Sequence, residues 1–237
     1  MLIEKINKYF ESQKDRERDR KFHVSEVGNC DRALYFDFLG YEKEEIDAAT
    51  RMKFHNGNVS HRKIVSILLG CNDINVVGAE VTIPENDLIT GRADLVVSLD
   101  NQLYVVDIKT ISDYGFNLLS SVSDISKNYI YQIQLYMHFL KIPNGIILFE
   151  NKNTNEMKEF FISYNRDLCE KLIERLRNLK IKIDNKIIPE KPFDIEDWQC
   201  NYCRFKKVCY ETNNNNIDAN NDTNIKVANS GVEGNEN

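Results

Sequence analysis

Long apolar runs are absent from this sequence of 237 residues. No stretch approaches the roughly 18 apolar residues that a membrane-spanning helix needs. The first 21 residues are dense in charge and contain no apolar signal core. We therefore expect a cytoplasmic protein without a membrane partner.

A strong positive charge, the usual mark of a nucleic-acid-binding surface, is also missing, because the net charge is −6. Residues 211–237 hold five acids and one lysine, a sum of −4, which leaves −2 for residues 1–210. That remainder is close to neutral and compatible with a local basic channel. Net charge therefore excludes little.

Six cysteines without a signal peptide indicate metal ligation or buried thiols rather than disulfides. Cys30, Cys71 and Cys169 are isolated, whereas three others fall within the segment CNYCRFKKVC, residues 200–209. From Asn213 onward the chain is rich in asparagine and contains no aromatic residue. We expect residues 211–237 to form a disordered tail.

Hydrophobic periodicity predicts a helix, a β-meander, another helix, two strands and a last helix. The helices are expected at residues 2–18, 31–40, about 46–69, 127–141 and 165–186, and the strands at 74–84, 88–99, 102–111, 145–151 and 156–164. This order predicts an α/β (α+β) fold in which helices flank one mixed central sheet. We expect an N-terminal amphipathic helix within residues 1–24 and one domain over residues 25–210.

The predicted strand YVVDIKT, residues 104–110, carries Asp107 and Lys109 on one face. If it pairs with the preceding strand through the turn near residue 100, Asp94 faces Asp107. Facing carboxylates repel, and a divalent cation between them would remove the penalty. Oxygen ligands select Mg²⁺ or Mn²⁺, and Lys109 would lie beside a metal-bound water. The alternative is a surface Asp–Lys pair worth roughly 0–1 kcal/mol.

Three further polar residues lie on predicted helices. His61 follows Gly57, which would allow close backbone approach, and histidine is a common metal ligand; the alternative is a structural histidine. Gln132 and Tyr136 are one helical turn apart on the same face. Tyrosine at that spacing is usually part of the core, whereas a buried glutamine needs a hydrogen-bond partner.

Taken in order, GxxxH (Gly57–His61), GxxD (Gly91–Asp94), DxK (Asp107–Lys109) and QxxxY (Gln132–Tyr136) resemble the motif series of RecB-type nucleases in the PD-(D/E)XK superfamily. Cys30 ahead of these motifs and C-x2-C-x5-C behind them resemble the four-cysteine iron–sulfur branch. That branch includes the CRISPR-associated exonuclease Cas-four and its phage-encoded relatives. The resemblance spans about residues 25–210. DxK replaces the more frequent ExK, and Asp31 stands where a proline is often found.

The resemblance implies a metal-dependent exonuclease that hydrolyses phosphodiester bonds in single-stranded DNA or at DNA ends. Its context would be CRISPR adaptation or phage recombination and repair, with an adaptation integrase or recombination proteins as partners. The alternative is a DNA-binding partner module of a spacer-acquisition complex, whose nuclease acts only within that complex. The implied roles are metal ligation by His61, Asp94, Asp107 and the carbonyl of Ile108, orientation of water by Lys109, and placement of the DNA strand by Gln132 and Tyr136.

For the cysteines, the resemblance implies a [4Fe–4S] cluster held by Cys30, Cys200, Cys203 and Cys209. Zn²⁺ is the alternative, since both centres accept four thiolates. A metal centre between such distant residues would tie the chain ends together. We expect Trp198, Tyr202 and Phe205 to shield it, and Arg204, Lys206 and Lys207 either to attract phosphates or to form a solvated charged face. Cys71 and Cys169 are expected to be buried thiols.

Overall fold

The structure, a computed structural model, describes residues 1–13, 20–192 and 198–211. Of the tail predicted over residues 211–237, residues 212–237 lie outside the described residues, whereas Glu211 is the last residue of a helix. Residues 14–18 of the first predicted helix and the side chain of Trp198 also lie outside them. No helix within the described ranges is long and apolar enough to cross a membrane.

The described chain contains eight α-helices, seven strands and two short 3-10 helices, Val24–Glu26 and Val122–Asp124. The helices are α1 (Leu2–Glu11), α2 (Asp31–Phe38), α3 (Ala48–Gly70), α4 (Asp113–Leu118), α5 (Lys127–Leu140), α6 (Arg166–Asp184), α7 (Trp198–Asn201) and α8 (Lys206–Glu211). The strands are β1 (Phe22–His23), β2 (Asn75–Thr82), β3 (Ile89–Thr90), β4 (Arg92–Leu99), β5 (Gln102–Ile111), β6 (Asn144–Asn151) and β7 (Met157–Ser163). All predicted elements are present, but α4, α7, α8 and β1 were not predicted.

The central sheet has the strand order β2-β4-β5-β6-β7. Its neighbours are antiparallel except β5 and β6, which are parallel and joined through α4 and α5. The predicted mixed sheet and meander are therefore confirmed. The strand predicted over 88–99 is divided at Gly91, and its first part, β3, pairs with β1 instead.

Helices cover both faces of the sheet. On one face, Ile64 of α3 packs in a cluster with Val106 and Ile108 of β5. On the other, α5 packs in the larger core, which includes Val105 and Ile133. Alternate residues of β5 thus point to opposite layers, as the period of a strand requires. Asp107, in phase with Val105, faces the α5 layer.

Local signals fix the ends of the helices. The Asp47 side chain accepts a hydrogen bond from the backbone N–H of Thr50 at the start of α3. Asn165 accepts one from Leu168 at the start of α6, so the predicted asparagine cap is confirmed. Ser112 caps α4 in the same way. Such caps satisfy backbone N–H groups that have no partner within the helix.

Candidate active site

Asp94 and Asp107 stand on neighbouring antiparallel strands. The pairing of β4 with β5 ends with Leu95 opposite Val106, and one further step in that register sets Asp94 opposite Asp107. Asp94 Oδ2 accepts a hydrogen bond of 2.7 Å from the backbone N–H of Ile108. The backbone of β5 therefore holds the Asp94 carboxylate beside that of Asp107.

The Asp107 carboxylate is 1% exposed. Its burial raises the pKa of Asp107 to about 6, against the opposing attraction of Lys109, and the nearby Asp94 adds to the rise. Oδ1 accepts a hydrogen bond of 3.0 Å from Lys109. The ammonium also lies 2.8 Å from Oδ2, but Oδ2 accepts no directed hydrogen bond. A buried carboxylate oxygen is thus left without a hydrogen-bond donor.

The Lys109 ammonium is held from the other side by α5. It donates a 3.0 Å hydrogen bond to Gln132 Oε1 and lies 5.1 Å from the centre of the Tyr129 ring. Gln132 Nε2 in turn approaches the hydroxyl of Tyr136 at 3.5 Å. Burial raises the pKa of this hydroxyl well above its usual value. The phenol therefore stays protonated at neutral pH.

Gln132 and Tyr136 are both buried, and their expected part in placing a DNA strand stays a prediction. They lie behind Lys109 and hold it against Asp107. A buried glutamine with both ends of its amide engaged satisfies the hydrogen-bonding requirement noted for this position. Their contacts indicate that they position the lysine.

His61 approaches the carboxylates from α3. Its Nδ1 lies 3.5 Å from Asp94 Oδ1, and its positive charge, when protonated, would act on Asp107 as well. The donors that meet here, two carboxylates and an imidazole, suit a hard divalent cation. Oδ2 of Asp107, which accepts no directed hydrogen bond, also fits such a cation. In the present arrangement, however, no group of three or more His, Cys, Asp or Glu side chains in the described ranges could hold a metal ion.

The glycines of the two first motifs differ in their packing. A Cβ atom at Gly91 would lie 2.7 Å from Cγ2 of Val24 and 3.1 Å from Cε1 of Tyr136, too close for a side chain. A Cβ atom at Gly57 would meet only Oγ1 of Thr110, at 3.8 Å. The close approach expected at Gly57 is therefore not required by packing within the chain. It is required at Gly91.

The four cysteines of the predicted cluster line one cavity of about 440 Å³. Cys30 Sγ accepts a hydrogen bond from the N–H of Ala33 at the start of α2, and Tyr210 donates to Cys200 Sγ at 3.5 Å. Burial raises the pKa of Cys30 and Cys203, and neighbouring cysteines add to the effect. No cysteine forms a disulfide. Cys30, just before α2, thus shares a cavity with the three cysteines of the last described segment, although no three thiols within the described ranges are close enough to hold a metal ion.

The residues expected around these cysteines differ in exposure. Tyr202 and Phe205 both line the cysteine cavity, but Tyr202 is 84% exposed, whereas Phe205 is buried against Phe36. Their shielding of a metal centre stays a prediction. Cys71 is exposed, because α3 ends at the protein surface. Cys169 is buried as predicted.

The charged residues of this segment make local contacts. Arg204 donates to the carbonyl of Glu44, Lys206 donates to Asn201, and Lys207 is exposed. No contact among these described residues tests the expected attraction to phosphates. That role stays a prediction.

One buried carboxylate was missed by the sequence analysis. Glu150, near the end of β6, is fully buried and forms an ion pair with Lys63 of α3. The available signal was an acidic residue in the otherwise apolar strand GIILFEN, residues 145–151.

One comparison with known proteins shows a family. The family model described as the PD-(D/E)XK nuclease superfamily matches residues 11–210. No curated protein matches the sequence.

Among solved structures, SSO0001 is similar with a TM-score of 0.56 and 19% identity, over 88% of this chain and 96% of that one. An alkaline exonuclease, LHK-Exo, from Laribacter hongkongensis has a TM-score of 0.54 and 13% identity, over 77% and 93% of the two chains. It has also been solved in complex with dAMP. A phage-related exonuclease from Haemophilus somnus 129PT has a TM-score of 0.53 and 17% identity, over 70% and 95%. At these identities the likeness shows a shared fold.

Proposed function

The chain belongs to the PD-(D/E)XK nuclease superfamily, and on that premise we propose that it is a DNA exonuclease. The observation that carries this proposal is the buried Asp107 carboxylate, with Asp94 beside it and the Lys109 ammonium against it. Two similar folds belong to exonucleases, one of them solved with a nucleotide monophosphate, dAMP. These likenesses support DNA ends as the substrate.

A divalent cation, Mg²⁺ or Mn²⁺, would be held by His61, Asp94, Asp107 and the backbone carbonyl of Ile108. When bound, it supplies positive charge to the scissile phosphate and lowers the pKa of a coordinated water. The donor types, and an Asp107 oxygen that accepts no directed hydrogen bond, support this assignment. A bound cation would also stabilise the ionised form of Asp107, whose burial otherwise favours protonation.

Lys109 would orient the attacking water and balance charge on the phosphate. Its ammonium is held by Asp107 on one side and by Gln132 on the other, so little reorganisation is needed when DNA binds. The Tyr136 hydroxyl fixes the Gln132 amide from behind. In this proposal QxxxY positions the lysine, and the substrate contacts come from the exposed side of the site.

The test is hydrolysis of end-labelled single-stranded and double-stranded DNA in Mg²⁺ or Mn²⁺. We expect shortening from the ends that is abolished in Asp94→Ala, Asp107→Ala and Lys109→Ala. The surface variant Asp124→Asn serves as the matched control and should keep full activity. Undiminished activity in all three site variants would refute the assignment. Substrates blocked at the 5′ or 3′ end give the polarity, and circular DNA separates exonuclease from endonuclease activity.

We further propose that the four cysteines bind a metal centre, a [4Fe–4S] cluster with Zn²⁺ as the alternative. Support comes from the cavity that the four cysteines share and from the burial of Cys30 and Cys203, whose raised pKa disfavours their ionisation in the absence of a cation. Anaerobically prepared protein should contain iron and sulfide and absorb in the blue part of the visible range. Cys203→Ser should lose both, with Cys71→Ser as the control. A colourless zinc protein would replace the iron–sulfur assignment.

A role restricted to a CRISPR spacer-acquisition complex gains no support from the described contacts. The proposed exonuclease function is compatible with DNA recombination or repair in general. Cleavage by the isolated chain distinguishes it from the partner-module alternative, in which the nuclease acts only within the complex.

A further inference from the structure

Helix α3 lies across the sheet and makes polar contacts with two different strands. His61 approaches Asp94 of β4, and Lys63 forms an ion pair with Glu150 of β6. Residues two apart on a helix point about 200° away from each other, so these contacts lie on opposite flanks of α3. Strand β5 runs between β4 and β6. The two contacts therefore hold α3 from both sides of the strand that carries Asp107.

Between the two flanks the helix is held by apolar packing. Ile64 is fully buried in a cluster with Val106 and Ile108 of β5. Such contacts are non-directional and roughly proportional to buried area. They keep the helix on the sheet but do not fix its rotation or its sliding along the strands. A directed contact on each flank can fix both.

Burial of the Glu150 carboxylate is energetically unfavourable. It is 0% exposed, one carboxylate oxygen accepts a hydrogen bond from Lys63, and the other has no hydrogen-bond partner. Removing an ion from water costs several kcal/mol, and an apolar side chain of similar volume is often as stable or more so. The strand before it, from Gly145 to Phe149, contains no other charged side chain. Stability alone therefore does not explain the carboxylate.

The register links this carboxylate to the candidate active site. In the parallel pairing of β5 with β6, Glu150 is opposite Thr110, the residue after Lys109. Lys63 also donates a 3.2 Å hydrogen bond to Asn155 Oδ1 in the turn beyond β6. The Lys63 ammonium thus contacts the end of β6 and the turn beyond it. Because Lys63 is two residues after His61 on the same helix, these contacts also fix the position of the His61 imidazole.

We propose that Lys63 and Glu150 are a positioning pair that fixes α3 so that His61 reaches Asp94 and the divalent cation. This inference rests on the proposed function, because it assigns the purpose of the pair to the metal site. Neither residue touches the cation or the DNA. Loss of the pair leaves the carboxylates of β4 and β5 in place and displaces only the ligand that comes from the helix.

The test is the double variant Lys63→Met/Glu150→Gln, which removes the ion pair without leaving a buried charge alone. Mn²⁺ affinity is measured by calorimetric titration of chelator-stripped protein without DNA. We expect the affinity to fall about 10- to 100-fold, the range found when groups that orient metal ligands are removed. Amide hydrogen exchange over residues 55–65 should become faster. In cleavage assays kcat at fixed Mn²⁺ should fall, while KM for DNA changes little. The separate single variant Lys63→Arg keeps the positive charge and should retain the wild-type Mn²⁺ affinity and kcat.

The matched control is Lys43→Met/Asp37→Asn. This variant removes another largely buried ion pair, with side chains 19% and 11% exposed, between α2 and the loop that follows it. It should leave Mn²⁺ affinity unchanged even if it lowers the melting temperature. An equal loss of affinity in the control would show a general effect of destabilisation and would overturn the inference.

Other outcomes separate the inference from the function it rests on. If the wild-type enzyme is active and the folded Lys63→Met/Glu150→Gln variant binds Mn²⁺ as tightly as wild type, the positioning role of the pair is refuted and the proposed function stands. A wild-type protein that binds no Mn²⁺ and cleaves no DNA overturns the proposed function and, with it, the assigned purpose of the pair. Hydrogen exchange needs no metal. Unchanged exchange in α3 of the double variant therefore shows that the pair does not fix the helix, whether or not the protein binds Mn²⁺.

Discussion

Replacement of Asp107 by asparagine should stabilise the metal-free protein at neutral pH while abolishing cleavage. Burial raises the pKa of this carboxyl from 3.8 to about 6 in the folded protein. The folded state therefore favours the protonated form, and ionisation of Asp107 costs stability. An amide of the same shape carries no charge and can still accept the hydrogen bond from Lys109.

The size and pH dependence of the gain follow from the pKa shift. A rise of about 2 pKa units corresponds to about 3 kcal/mol, since one unit is about 1.4 kcal/mol. Below pH 3.8 the carboxyl is protonated in both folded and unfolded states, so the substitution gains nothing from charge. Between the two pKa values the unfolded state loses its proton first, so wild-type stability falls as pH rises. Above about pH 6 the full cost is present.

Urea denaturation in the presence of a chelator measures this difference. Asp107→Asn should exceed wild type in free energy of unfolding by about 1 kcal/mol near pH 4.5 and by about 3 kcal/mol near pH 7.5. Asp124→Asn is the control with the opposite sign, because hydrogen bonds from the N–H groups of Ser120 and Ser121 lower the pKa of Asp124. That variant should lose stability at neutral pH. A loss of stability in Asp107→Asn at neutral pH, or a gain independent of pH, would refute the reasoning.

Two other predictions concern the motif residues. Gly91→Ala should lower the free energy of unfolding by about 1–3 kcal/mol, because its Cβ would lie 2.7 Å from Val24. Gly57→Ala should leave stability unchanged or raise it by up to about 1 kcal/mol, since alanine favours the interior of a helix; urea denaturation of both variants checks the contrast, and equal losses would contradict it. Gln132→Leu removes an acceptor of Lys109 and should lower kcat about 100-fold with little change in KM for DNA, as misplacement of a catalytic group does. Wild-type kcat in that variant would show that the lysine is positioned without the amide.

The facing carboxylates could be predicted because one local feature sets the register. Asp100 and Asn101 both adopt positive φ, 47° and 61°, the conformation of a two-residue hairpin turn that Asp and Asn tolerate well. Leu99 therefore pairs with Gln102, and counting back along both strands brings Asp94 opposite Asp107. Periodicity and turn chemistry are local, so the sequence carries them.

Features that depend on contacts between distant segments could not be predicted from the sequence. The exposure of Cys71 depends on where α3 ends relative to the sheet, and an apolar run before a cysteine does not reveal it. The pairing of β1 with β3 joins two-residue segments far apart in sequence, which have no periodicity of their own. The Lys63–Glu150 pair requires knowledge of which strand lies under which flank of the helix. Each of these is a property of packing between elements.

The motifs GxxD and QxxxY are separate in the sequence but form one packing unit in the structure. The ring of Tyr136 passes so close to Gly91 that a side chain there would push it, and the Tyr136 hydroxyl is bound by the Gln132 amide. Gln132 in turn holds Lys109 against Asp107. A methyl group at Gly91 would therefore act on the lysine through two intervening side chains. The glycine of GxxD therefore packs against the tyrosine of QxxxY, whose hydroxyl contacts the amide that holds Lys109.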